Sequence, residues 1–276
     1  MKLNAICMVK NEGDVIEETL LNARQFCHRI YVFDNGSDDG TWETVQRLAN
    51  TYEEIEVAFH SYEVFKNQLR NRVYNKYNHL YSDKDWWYIL DADEMLTEDP
   101  KPRLEKAAKK GKDAMHVWQA QFYFTDKDQE KYHMEDLSQP TTERRRYYRI
   151  NWREVRFFTN NPNEKWSENI TGRIPPHCGK FYQDSPICRH YAQRTPEQLI
   201  ARNQMRINNP YSFFHIKNKQ AESWVKKADD MFYYNNDGKF EFPAYDKFKY
   251  FANELRYWVQ WRTKNVLQLP FKLLRS

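Results

Sequence analysis

Over the first hundred residues, short apolar runs and amphipathic stretches follow one another with charged breaks between them. Leu3-Asn-Ala-Ile-Cys-Met-Val9 reads as a strand, and Lys10-Asn-Glu-Gly13 ends it. From Asp14 the apolar residues Val15, Ile16, Leu20 and Ala23 fall on one face of a helix. Residues 29–33 read as a second strand and 34–40 as a turn-rich segment. Thr41 is placed to cap a helix through residue 49, although Thr44 stands where a capping box needs an acid or amide. Residues 55–60 give a third strand, and 65–80 a helix lined by Leu69, Val73, Tyr77 and Leu80. Trp86-Trp-Tyr-Ile-Leu90 is a fourth strand, which runs straight into Asp91, Asp93 and Glu94. Strand and helix alternating at this interval predict a parallel sheet with helices on both faces.

Beyond residue 100 the pattern is less regular. It predicts a basic helix over 103–110, a strand over 114–124, a polar loop over 126–142 and strand-like pieces over 144–150 and 156–158. An Asn/Pro/Gly-rich loop spans 160–180, and 186–191 is one more short strand. Thr195-Pro-Glu-Gln198 carries helix-start chemistry: a hydroxyl cap, proline in the first turn and an amide to reach back. From there the spacing predicts helices to the end, broken near 208–210 and 235–238. The expected organisation is an α/β catalytic domain over 1–194, with halves 1–110 and 111–194, then a helical extension over 195–276. Phe248, Phe251, Ala252, Leu255, Trp258 and Val259 form a helical stripe flanked by Arg256, Arg262 and Lys264, and residues 267–275 are apolar and basic. Packing against the core is the favoured reading, and peripheral membrane contact the alternative.

Composition narrows the function classes. With 43 Lys and Arg against 39 Asp and Glu, the net charge of +4 is too small and too mixed for a dedicated nucleic-acid binder, so no nucleic acid is expected. The basic run Arg144-Arg-Arg146 reads as a solvated face. None of the four cysteines forms a Cys-x-x-Cys pair; Cys7 and Cys27 read as reduced core residues, and His177, Cys178, Cys188 and His190 match no ordinary zinc spacing. The first residues show no secretory pattern, and no apolar run reaches membrane-spanning length. The expected location is the cytoplasm, at the inner membrane face if the tail meets lipid. Neither a Gly-x-Gly-x-x-Gly nor a Gly-Lys-Ser/Thr loop follows the first strand, which disfavours dinucleotide oxidoreductases and P-loop enzymes.

The acids after the fourth strand are the leading candidate chemistry. Unpaired carboxylates are too costly inside a core, so they belong where the strand leaves the sheet. In open α/β sheets the carboxyl ends of the strands are where ligands bind. Asp-x-Asp puts two carboxylates on one side of an extended backbone, able to hold a hard divalent cation beside substrate phosphates; a polar turn is the plainer reading.

Four segments in order resemble the family 2 glycosyltransferases of the GT-A fold: Met8-Val-Lys-Asn-Glu-Gly13, Val32-Phe-Asp-Asn-Gly-Ser-Asp-Asp-Gly-Thr41, Leu69-Arg-Asn71 and Ile89-Leu-Asp-Ala-Asp-Glu94. Downstream, Trp166-Ser-Glu168 and Arg189-His-Tyr-Ala-Gln-Arg194 are similar to the branch that includes lipopolysaccharide-core glucosyltransferases, with Ser167 where that branch has His. The resemblance implies a Rossmann-like, mostly parallel GT-A sheet with helices on both faces. It implies an inverting, metal-dependent transfer of a sugar from a nucleoside diphosphate donor, UDP-type, to a hydroxyl of a glycan, glycolipid or protein. It implies that Met8, Val9, Asn11 and Glu12 line the base site together with Asp34 and Asn35, and that Arg70 reaches base or phosphates. Asp91 and Ala92 would meet the ribose or a metal-bound water, and Asp93 would hold Mn2+ or Mg2+, with Asp91 and His190 as further metal contacts. Glu168 would be the general base, ahead of His177, with Asp126, Asp128 and Glu135 weaker still. Alternatives stay open. Asp34 also suits an Asx-turn, Arg70 a solvated helix, Glu94 a turn cap more than an acceptor contact, and His190 and Glu168 purely structural positions. Asp38 and Asp39 read as turn and helix-start residues. A nucleotidyltransferase that forms sugar nucleotides, or a non-catalytic sugar- or nucleic-acid-binding module, are the rival functions.

Overall fold

The structure, a computed structural model, describes residues 1–169, 172–210 and 225–242. In chain order the elements are β1 (Leu3–Val9), α1 (Ile16–Ala23), β2 (Arg29–Asp34), α2 (Thr41–Thr51), β3 (Ile55–His60), α3 (Leu69–Tyr77), β4 (Trp86–Asp91) and β5 (Glu94–Leu96). There follow α4 (Lys101–Lys109), β6 (Ala114–Phe122), α5 (Asp126–Lys131), α6 (Thr141–Arg144), β7 (Tyr147–Thr159), β8 (Phe181–Tyr182), β9 (Ile187–His190), α7 (Pro196–Ile207) and β10 (Phe232–Tyr233).

The strands form one sheet in the order β3-β2-β1-β4-β7-β6-β9-β5, with β10 beside β7 and β8 beside β6. The first four run parallel, as the alternation predicts. β7 joins β4 antiparallel and turns the second half into a mixed sheet, where β6 runs antiparallel to β7 and parallel to β9. Every residue of β1 is buried, which is what a central strand covered on both faces requires. Its side chains alternate: Leu3, Ala5, Cys7 and Val9 pack with Ile16 and Leu20 of α1, Val45 of α2 and Leu104 of α4. Ile6 and Met8 pack with Leu69, Val73 and Tyr74 of α3. Helices therefore cover both faces of the parallel half.

Several local expectations change. Residues 144–159 contain one thirteen-residue strand, not two pieces: the charges at Arg149, Arg153, Glu154 and Arg156 interrupt its apolar pattern, but its pairing with β6 continues across two register shifts, one of which skips Arg156. The polar stretch 126–142 is not a loop. Thr125 and Asp128 form a reciprocal capping box that starts α5, and α6 follows. Thr41 does not cap α2; Gly40 does, at φ 90°, and the Thr41 hydroxyl instead accepts from Glu12 N–H at 2.9 Å. Thr195 does cap α7, accepting from Gln198 N–H at 3.2 Å. Arg144, Arg145 and Arg146 are not a solvated face: Arg144 and Arg145 pair with Glu135, and Arg146 with Glu143. Of the region expected to be helical, residues 225–242 contribute β10, antiparallel to β7, and Tyr234 stacks on Phe240 at 4.7 Å in a core with Phe122 and Tyr148. The stripe at 248–259 and the tail at 267–275 lie outside the described residues. Among the described residues no helix is long and apolar enough to cross a membrane.

Candidate active site

Parallel strands place their carboxyl ends along one edge. The register pairs Val9 with Asp34 and Met8 with Asp91, so the segments after β1, β2 and β4 leave the sheet side by side. Residues 10–14, 34–41 and 91–94 therefore meet where α/β sheets bind ligands.

The first two segments are laced together. Asn35 N–H donates to Val9 O at 2.9 Å, and Lys10 Nζ donates to Asn35 O at 3.1 Å. Asn11, at φ 54°, exchanges hydrogen bonds with Asp38 (2.8 and 3.0 Å) and donates its N–H to Ser37 Oγ. Gly13 N–H donates to Asp39 Oδ2 at 3.0 Å, so Asp38 and Asp39 are turn residues, as expected. Asp34 is committed to the same turn. It is fully buried; Oδ1 accepts from Gly36 and Ser37 N–H (2.9 and 3.0 Å) and lies 3.0 Å from His60 Nδ1, while Oδ2 accepts from Ser37 Oγ at 2.6 Å. Asp34 thus makes the Asx-turn of the plainer reading, with Ser37 Oγ the one donor on Oδ2. Asn35 is likewise buried, and its amide donates to Ser61 O and Glu63 O.

Gly36 in this turn has φ +73°, and a Cβ there would lie 2.5 Å from Tyr62 Cδ1. Gly40 also has positive φ, but nothing lies within 4 Å of its virtual Cβ. Both Ala substitutions therefore carry the left-handed penalty of about 1–2 kcal/mol, and Gly36→Ala loses more because Tyr62 must move. Urea midpoints of the two variants measured side by side check the order.

The acid cluster is held by arginines. Asp91 Oδ1 accepts from Arg70 Nη2, and Asp91 Oδ2 from Arg156 Nη2, both at 2.7 Å. Burial alone would raise the Asp91 carboxyl; Arg156 and then Arg70 outweigh it and hold it well below the usual range. Arg70 is buried, and so is not the solvated helix residue of the plainer reading. Asp93 faces the other way. His190 Nε2 stands 3.4 Å from its Oδ1, while Arg202 Nη1 donates to Oδ2 at 3.1 Å and Arg194 approaches to 3.8 Å. Against the opposing effect of burial, His190, Arg202 and Arg194 keep Asp93 ionised well below the ordinary range. Glu94 is completely buried, bound by Arg156 through two nitrogens and by Gln119 Nε2 at 2.8 Å. Glu94 is thus a core ion-pair residue, neither a turn cap nor an acceptor contact. Ala92 contributes its carbonyl to Thr19 Oγ1 at 2.8 Å, which ties the acid turn to α1. Glu12 pairs its carboxylate with Arg194, and burial pushes that carboxyl up.

A divalent cation fits part of this arrangement. The 3.4 Å between Asp93 Oδ1 and His190 Nε2 is long for a hydrogen bond, but ligand bonds of about 2.0–2.2 Å span it, and imidazole with carboxylate suits Mn2+. Asp91 stands apart from that pair, with one guanidinium contact on each of its oxygens. Among the described residues no three His, Cys, Asp or Glu side chains converge as a metal site. His177 and Cys178 meet Thr159, whose register partner Trp86 begins β4, so they lie at the opposite end of that strand from the acids. This separates them from His190 and ends the zinc grouping as well as the role of His177 as base.

Glu168 lies along the flank of α3. Its carboxylate is gripped by Arg72 (2.9 and 3.3 Å) and by Lys66 at 3.2 Å, and Ser167 O accepts from Asn71. Hydrogen bonding from Arg72, followed by Lys66, lowers its pKa. Asp126, Asp128 and Glu135 serve the start of α5 and the Arg145 ion pair.

The family model for glycosyl transferase family 2 matches residues 5–176, which takes in the β1 loop, the Asp34 turn, the acids and Glu168. The chain belongs to glycosyl transferase family 2. Its parallel half, mixed second half and Asp-x-Asp turn at the carboxyl edge make this the GT-A arrangement expected of the family. Similar solved structures include the mannosyltransferase PcManGT from Pyrobaculum calidifontis in complex with GDP-Man and Mn2+, at 15% identity and a TM-score of 0.44, covering 75% of this chain and 62% of that one. TarS residues 1–349 from S. aureus gives 11% identity and a TM-score of 0.43, covering 76% and 66%. The chain thus spans just under two thirds of each of those structures. No curated protein matches the sequence.

Three residues that hold the acids escape the sequence reading: Arg156, Arg194 and Arg202. Arg194 lies within the quoted family segment. Arg156 stands in an apolar strand and Arg202 on α7, where nothing short of the fold marks them.

Proposed function

We propose that this family 2 protein is a glycosyltransferase that moves one sugar from a nucleoside diphosphate donor to an acceptor hydroxyl at the carboxyl edge of the sheet. The observation that carries it is the Asp93–His190–Arg202 cluster beside the β1 and β2 loops; Asp93 and both loops belong to the matched residues 5–176, and His190 and Arg202 join them from beyond that range. Asp93 and His190 would hold a divalent cation, which supplies charge neutralisation for the diphosphate leaving group. Arg70 and Arg156 fix Asp91 in one orientation and keep it anionic, ready to accept a hydrogen bond from a ribose hydroxyl. Lys10 spends its ammonium on the carbonyls of Asn35 and Gly36, which speaks against the nucleotidyltransferase alternative, since that chemistry calls for a free basic residue after the first strand.

Glu168 is the acceptor-side base of this reading. In a single displacement the acceptor oxygen attacks the anomeric carbon as the sugar–phosphate bond breaks, and Glu168 takes the hydroxyl proton. Arg72 and Lys66 keep it deprotonated to below the ordinary glutamate value of about 4.3, so the acid limb of kcat/KM falls lower still. Glu168→Gln is expected to cut transfer by about 10²–10⁴-fold with donor affinity unchanged. A variant that keeps its transfer rate assigns the proton elsewhere.

The function itself is tested by thermal shift and donor hydrolysis over a panel of nucleoside diphosphate sugars, with and without Mn2+. Stabilisation and turnover by one donor support the reading; no donor stabilising the protein under either condition removes it.

A further inference from the structure

α7 crosses the mouth of the site. At its start, Arg194 donates to Glu12 and Asp14, and Thr195 caps the helix. Just past its end, Asn209 Nδ2 donates to Phe65 O at 3.0 Å, beyond β3. Twelve residues at ~1.5 Å each make a span of about 18 Å, from the acids to the far side of the Asp34 turn. Arg202 and Arg206 are four residues apart and share one helix face. That face is turned inward: Arg202 Nη1 reaches Asp93 Oδ2 and Ala192 O (3.1 and 2.7 Å), and Arg206 lies within electrostatic range of Asp93 and Glu12.

The two arginines differ in one respect. Arg202 has an anion; the Arg206 guanidinium makes no hydrogen bond or ion pair among the described residues, although the residue is partly buried. Burial, then the neighbouring Arg202, push its guanidinium down to about 10. A partly desolvated cation with no partner is a standing cost, and an anion placed beside it removes that cost. A donor diphosphate bound next to Asp93 would present such an anion.

We propose that Arg202 and Arg206 form a clamp for the donor's diphosphate, Arg206 as the free arm and Arg202 as the arm that rests on Asp93. The proposal builds on the nucleotide-donor reading of the site. It makes Arg206 a binding residue that stabilises the leaving nucleoside diphosphate as charge develops on it, and it gives α7 a part in the chemistry outside the matched residues 5–176.

The test is isothermal titration of the wild type, Arg206→Gln and Arg206→Lys with UDP, GDP, ADP and CDP in Mn2+, and with the corresponding nucleosides. Arg206→Gln is expected to weaken the preferred nucleoside diphosphate by about tenfold and to leave its nucleoside unchanged, with Arg206→Lys recovering part of the loss. A structural role alone would weaken both ligands together. Binding of the diphosphate by Arg206→Gln within twofold of wild type overturns the clamp and leaves the donor site standing. A wild type that binds none of the four diphosphates overturns the donor reading and the clamp with it.

Discussion

Replacing Asp93 with Asn lowers sugar transfer by about 10²–10³-fold, the size of losing one preorganised electrostatic contact to a developing charge. Asp93 is the point where three cationic or ring groups converge, from β9, from the segment before α7 and from α7 itself. Asparagine keeps the volume and can still accept from Arg202, so the fold around it survives. What it loses is the full negative charge that draws a divalent cation to His190. Donor affinity measured in Mn2+ therefore falls with the rate. Asp93→Ala behaves differently, because it takes away the carboxylate that His190 and Arg202 share, while Arg194 keeps Glu12 and Asp14. That variant loses stability as well as activity. Steady-state kinetics on Asp93→Asn, paired with thermal melts of both variants, separate the two effects. Full transfer by Asp93→Asn would move the chemistry away from this acid.

The parallel half was legible because each of its strands is a short apolar run ended by a turn signal, and each helix an amphipathic repeat. The Asp91–Glu94 turn was legible for a related reason, since three acids at the end of a buried strand have nowhere to go but the sheet edge. The partners of those acids were not legible. Arg156 reads as an interruption in a strand, and its role exists only because the antiparallel pairing of β7 with β4 and β6 brings it under the acid turn, 62 residues along the chain from Glu94. Arg202 and Arg206 sit on a helix whose exposed residues carry no periodic signal of function. Asp34 was legible in one of its two readings: the Asx-turn is the local geometry, with the carboxylate turned onto Gly36 and Ser37. Sequence spacing reports which residues share an element; it does not report which charge on one element will satisfy a charge on another.

Arg156 is where stability and function meet, and Arg156→Met is expected to cost more stability than either glycine substitution. Only 1% of its side chain is exposed, and it binds Asp91, Glu94 and Glu154 at once. Methionine fills much of the space but strands Glu94, whose side chain has no exposure at all. Leaving a buried charge without its partner costs about 3–5 kcal/mol, and in a domain of this size that lowers Tm by roughly 10 °C. The loss depends on pH in a definite direction. Burial already holds the Glu94 carboxyl above the ordinary range with Arg156 beside it, and without Arg156 it rises further. A carboxyl whose folded pKa lies above its unfolded value favours folding when protonated, and that advantage disappears as pH rises through the folded pKa. The gap in Tm between Arg156→Met and wild type therefore narrows as pH falls from about 8 to about 5 and widens on the way back. Adding Glu94→Gln removes the stranded charge while keeping a partner for Gln119, so the double variant recovers most of the stability. It does not recover transfer, because Asp91 still lacks one of the two guanidinium groups that hold it. Equal Tm losses in the single and double variants would mean that Arg156 stabilises the core through packing, and that the acids are held by Arg70 and α7 alone.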